Sequence, residues 1–223
     1  SKKYPYDART ATYLGHVIDT TPPGVTIDDV FDEQVLARAI ELSPLRAQAW
    51  YMLANISLRK ADAFPAGDPR QEKYYREAIA ILERAVTAEP TNPAALAWLG
   101  SAQVRKARSA SIFAAPGWVK KGFNTLDEAV ERFPDVFIVY MVRGITATQV
   151  PDLFRKAPVA VKDLSAVVAM KEKNATAVPD TQMPSVYLHL GRAYRKNGQT
   201  AEARATWEKG RSAYPAAPEA RAI

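Results

Sequence analysis

The side chains able to do chemistry in this chain are few, and their spacing suits catalysis poorly. Cysteine is absent, which excludes disulfides, thiolate zinc sites, iron–sulfur ligation and a cysteine nucleophile. Two histidines, His16 and His189, offer proton transfer or metal ligation, but neither lies in a His-Glu-x-x-His pattern. A phosphate-cradling glycine loop and a Gly-x-Ser-x-Gly elbow are also missing. Asp127, Glu128 and Glu131 gather carboxylates on a helix, with Asp127 and Glu131 on one face. Arg132 and Lys121 lie close enough to balance them, so the group reads as a solvated surface. Asp62 and Asp68 carry oxygen ligands that calcium accepts, yet the segment lacks the regular ligand spacing of a calcium loop. The expectation is a protein with no metal and no cofactor, and not an enzyme, whose function comes from its surfaces.

The elements that carry those surfaces must be helices in a folded chain. Of the 223 residues 48% are hydrophobic and 24% charged, the balance of a globular protein rather than of a disordered one. No window approaches the roughly 18 to 20 consecutive apolar residues needed to cross a bilayer. No long segment shows the alternation of a strand. Net charge is +6 and unevenly spread. Residues 1–92 hold 11 basic and 13 acidic groups, whereas residues 93–223 hold 19 and 11. The basic half could meet an acidic partner, but its cations are scattered along helices, so solvated faces are expected and nucleic-acid binding is not. The Ser-Lys-Lys start has neither Met nor a signal-peptide core and is read as trimmed. A bacterial periplasmic or membrane-associated extracytoplasmic setting is the working expectation, with the cytoplasm next.

Self-similarity decides the architecture, because a missed repeat misassigns a whole fold. Tyr187-x2-Leu190-Gly191-x2-Tyr194, then Ala203-x3-Trp207, Gly210 and Pro215, resembles the tetratricopeptide repeat at every spacing. Small residues at Gly191, Ala203 and Gly210 would let two antiparallel helices approach, with Tyr187, Leu190, Tyr194 and Trp207 filling the space beside them. Asn197-Gly198 should end the first helix, Thr200 should cap the second, and Pro215 should stop it. Trp50-x2-Leu53-Ala54-x2-Ser57 with Ala78, Leu82, Ala85 and Pro90 looks like another such pair. Its helices stand 12 residues too far apart, which places an inserted loop around 64–70 or lengthens the helices. Asn92-Pro93, Trp98-Leu99-Gly100, Ala129 and Pro134 mark a third pair with an insertion near 109–117. Tyr140, Gly144, Ala160, Leu164 and Val167 mark a fourth, whose first helix Pro151 must end or kink. Leu14-Gly15, Leu36, Ala39 and Pro44 suggest a first, with a helix start at Thr26, Asp28 and Asp29. The resemblance implies an all-α, right-handed α-solenoid of TPR-like repeats, a single domain over 1–223 with units 7–46, 47–92, 93–134, 135–178 and 184–217. The two histidines would then lie at opposite ends, unable to share a metal or a proton.

In the tetratricopeptide family the first helix of each pair lines a concave groove, and the resemblance implies which side chains do so here. They are Thr12 and His16; Gln48, Tyr51, Met52, Asn55 and Arg59; Ala97, Trp98, Ser101 and Arg105; Met141, Val142, Ile145 and Gln149; and Leu188, His189, Arg192 and Lys196. The family's basic clamp for a C-terminal carboxylate is not reproduced, since Thr12, Met52 and Trp98 stand where charged or amide groups belong. The expected partner is a protein or peptide segment, acidic or amphipathic, held by Tyr51, Met52, Asn55, Trp98, Arg105, Met141, Ile145, Leu188, His189 and Arg192. Inserted segments could instead fill this groove. Other readings are self-association through poorly capped solenoid ends, and a ligand carrier or enzyme with a pocket built by the insertions. The apolar stretch 112–118 is expected to tuck back onto the helices, the alternatives being a binding loop or a membrane-touching tip. His189 is read as a packing or surface residue rather than a pH switch.

Overall fold

The computed structural model describes Ile40 and residues 47–221, and among these it contains eight α-helices and no strand. They are α1 Ala47–Asp62, α2 Pro69–Ala88, α3 Pro93–Lys106, α4 Ala115–Arg132, α5 Phe137–Gln149, α6 Ala157–Lys173, α7 Met183–Lys196 and α8 Thr200–Ala213. The chain divides into two compact units between Thr125 and Leu126, inside α4. The helices follow one another as α1–α2 over 47–88, α3–α4 over 93–132, α5–α6 over 137–173 and α7–α8 over 183–213. Expectations for the first repeat, including Thr12, His16 and the Thr26 helix start, lie outside the described residues, as does the Gln48 side chain.

Local chemistry sets the helix ends. Asp68 caps α2 by accepting the Arg70 amide at 2.8 Å, and Asn92 caps α3 by accepting that of Ala95 at 3.0 Å. Each is followed by a proline, whose missing N–H costs nothing in a first turn. Pro151 stands just past Val150, where α5 has ended. Gly198 adopts φ +79 after α7, the left-handed geometry that the Asn197-Gly198 pair called for. Thr200 does not cap α8. It is already that helix's first residue, and Gln199 precedes it without a side-chain cap bond.

In the first unit Ala54, Leu58 and Ala61 of α1 pack with Tyr75, Ala78, Ile79 and Leu82 of α2 and with Leu99 and Ala102 of α3. In the second, Met141 of α5, Leu164 and Val167 of α6 and Met183, Val186, Tyr187 and Leu190 of α7 form one core with Val178. Close approach depends on the small residues. A Cβ on Gly210 would lie 2.6 Å from Tyr187 Cβ, and one on Gly191 would enter the Trp207 indole.

The two insertions resolve differently. The extra residues of the second repeat mostly lengthen its helices, so the α1–α2 turn is only residues 63–68, while Pro69 and Arg70 are helical. In the third repeat a 3₁₀ turn, Ala107–Ser109, and residues 110–114 make the connection, and 115–117 already belong to α4. The stretch 112–118 does not tuck back as a whole. Trp118 is half-buried against the α1–α3 core, whereas Ile112 and Phe113 are 82% and 93% exposed.

Candidate binding surfaces

Within the first unit the two first helices, α1 and α3, lie side by side. Tyr51 and Asn55, one turn apart on α1, and Trp98 on α3 are half-buried. Tyr51 and Trp98 rest on the core below, and Asn55 Nδ2 donates to the Tyr51 carbonyl at 2.9 Å. Met52 is buried, as are Ala97 and Ser101, so these three serve packing and offer a partner little surface. Arg59 is half-buried.

Arg105 is largely occupied within the molecule. Its guanidinium pairs with Asp62, the last residue of α1, and burial together with the charge of Arg108 pushes its pKa down to about 10. Asp62 also accepts the Tyr75 hydroxyl at 2.6 Å and Arg108 Nη1 at 3.1 Å. Beside it Lys106, 3% exposed, pairs with Glu72, which also accepts the Ser109 hydroxyl at 3.0 Å. Partial burial opposes ionisation of Glu72, but hydrogen bonds from Lys106, Arg76 and Ser109 outweigh it and hold the carboxyl at about 2.

Within the second unit α5 and α7 are the neighbours. Met141 and Leu188 are buried, and Ile145 and Arg192 are half-buried. The Thr148 hydroxyl donates to the Ile145 carbonyl at 2.7 Å, which leaves its oxygen to accept the Nδ1 proton of His189 at 2.9 Å. Burial, with the charge of Arg192 behind it, lowers the His189 pKa to about 4. The ring is therefore neutral between pH 5 and 8, and Nε2 is its remaining acceptor. At the C-terminal end of α5 a cleft of about 310 Å³ is lined by Val150, Asp152, Arg155, Lys156 and Lys196 among others. Lys196 donates to the Val150 carbonyl at 3.0 Å and pairs with Asp152 at 3.0 Å. Gln149 is exposed, and Val142 is buried.

Sequence reasoning missed two polar ties. One is the Asp62 cluster. The other is Arg143, whose Nε and Nη2 grip both oxygens of the fully buried Asp163 at 2.7 and 2.8 Å while Nη1 reaches Asp127 at 2.8 Å. Burial pushes the Asp163 carboxyl up even against this guanidinium. Partners on different helices, 20 residues apart for Arg143 and Asp163 and 43 for Arg105 and Asp62, leave no local spacing signal. Asp127, read as solvated, is half of such a tie. Among the described residues no three acidic or histidine side chains gather as a metal site.

These helix pairs and their packing define an all-helical tetratricopeptide-type solenoid fold. Residues 184–215 match the family described as tetratricopeptide repeat, the segment whose spacings are complete. No curated protein matches the chain. Among solved structures it is similar to TTC0263, a thermophilic TPR protein of Thermus thermophilus, with a TM-score of 0.63 and 19% identity over 82% of each chain. Likeness at that identity is one of fold.

Proposed function

We propose that the chain is a protein-interaction module that holds a peptide or protein segment against its first helices. The observation that carries this reading is that first helices of successive repeats adjoin, α1 with α3 and α5 with α7, and leave aromatic and polar side chains part-exposed. Tyr51, Asn55 and Trp98 supply flat ring surface and an amide in one unit. Ile145, His189 and Arg192 supply an apolar chain, a neutral imidazole acceptor and a cation in the other. Half-buried rings that rest on a core lose little entropy on binding and so make good anchors. The ligand that fits is an amphipathic segment with an acidic group. Met52, Met141 and Leu188 support the wall from behind, and Arg105, committed to Asp62, contributes less than its charge suggests.

Peptides selected from a displayed random library on the full-length chain provide the test. Isothermal titration of the selected peptides should show affinity at least about tenfold weaker for Trp98→Ala where a peptide sits on the first unit, and for Arg192→Ala where it sits on the second, as expected of anchor residues. Unchanged affinity in both variants, with native far-ultraviolet spectra, would remove this face as the binding site.

A further inference from the structure

We propose that the turn joining α3 to α4 is a docking tip for an anionic lipid surface. Ile112 and Phe113 stand at its apex, 82% and 93% exposed, adjacent in sequence and covered by nothing among the described residues. The apex is held in place. Ala110 N–H donates to the Ala107 carbonyl at 3.3 Å, and the amides of Ala114 and Ala115 donate to the Ser111 carbonyl at 3.0 and 2.8 Å. Behind it, half-buried Trp118 roots the turn in the α1–α3 core, with Lys106 Nζ and Lys121 Nζ each 5.3 Å from its ring. An ordered turn that projects two large apolar side chains loses little entropy when they are buried.

Along the chain, the charge on either side of the turn is of one sign. From Pro90 to Leu126 there is no acidic residue and there are five basic ones, Arg105, Lys106, Arg108, Lys120 and Lys121. Asp62 and Glu72 answer the first three of these. Lys120 and Lys121, both exposed, have no carboxylate partner among the described residues. They lie about 8 Å along α4 from its first residue, at 1.5 Å per residue. That spacing puts ammonium groups at phosphate depth when Ile112 and Phe113 enter the acyl boundary, the arrangement of a shallow interfacial anchor. A protein partner is the poorer occupant. A stable protein interface covers about 800 Å² on each side, and two side chains at a turn present a point rather than a face.

Co-sedimentation of the full-length chain with vesicles, at low salt, tests the proposal. The wild type should partition onto phosphatidylcholine vesicles containing one-third phosphatidylglycerol, and at least about tenfold less onto phosphatidylcholine alone. The double variant Ile112→Ser, Phe113→Ser and the double variant Lys120→Gln, Lys121→Gln should each weaken partitioning about tenfold or more, while far-ultraviolet spectra stay native because all four side chains are exposed. Failure of the wild type to bind anionic vesicles, or equal binding by the serine variant, would overturn the proposal. So would a drop in the sedimentation coefficient of the free protein on serine substitution, which would make a second copy of the chain the occupant.

Discussion

His189 donates its Nδ1 proton to Thr148 on the neighbouring helix, and its low pKa has a consequence for stability. Unfolded, an imidazole takes up a proton near pH 6.5; folded, this one does so near 4. Between those values the unfolded chain binds more protons, so stability falls as pH drops from 6.5 to 4, by on the order of 3 kcal/mol, and is flat above 6.5 with respect to this group. Urea unfolding of wild type and His189→Asn at half-unit pH steps checks the slope, which the asparagine variant should lose. Glu72 acts in a lower window. Its stabilising contribution is present above pH 4.5 and disappears as pH falls through about 2, so the two effects separate. The residue scale was the least legible in sequence. The spacing rule put Tyr51, Met52 and Asn55 in one set, but which of them is buried depends on neighbours that the rule does not contain. Arg105 met the rule for an exposed groove cation, yet a carboxylate 43 residues away holds it.

Helices and turns were far more legible, because their signals are local. Asn92-Pro93 marks a helix start and Asn197-Gly198 a helix end by chemistry that acts within four residues. Gly144, Gly191 and Gly210 mark close approach, and a Cβ at Gly144 would lie 2.7 Å from Leu164 Cγ. Gly191→Ala should displace the Trp207 indole, break its 3.1 Å bond to the Leu188 carbonyl and cost about 1 to 3 kcal/mol, read as a lowered urea midpoint. The same substitution at Gly117, where nothing lies within 4 Å, is the control and should leave the midpoint unchanged or slightly raised. Insertion lengths were misjudged where helix-compatible residues could extend a helix. Pro69 and Pro116 read as loop formers, but a proline in a first turn is a helix starter. The exposure of Ile112 and Phe113 was hidden for another reason, since hydrophobicity alone predicts burial.

For the molecule as a whole, a repeat architecture makes stability a sum of local terms, each unit leaning on its immediate neighbours. Arg143→Met leaves Asp163 buried without its guanidinium and should cost about 3 to 5 kcal/mol. Native-state hydrogen exchange should place the greatest loss of amide protection in α5 and α6, with the α1–α2 amides near wild-type values. Uniform loss along the chain would show one cooperative block instead. Repeat proteins are commonly regarded as strings of exchangeable modules, and the Asp62 carboxylate sets a limit to that here. It gathers Tyr75 from α2, Arg105 from α3 and Arg108 from the turn after it. Substituting a consensus repeat for residues 47–92 would strand Arg105 in a site already dry enough to depress its pKa, so a transplanted module must bring its own acid at that position or be rejected by the next repeat.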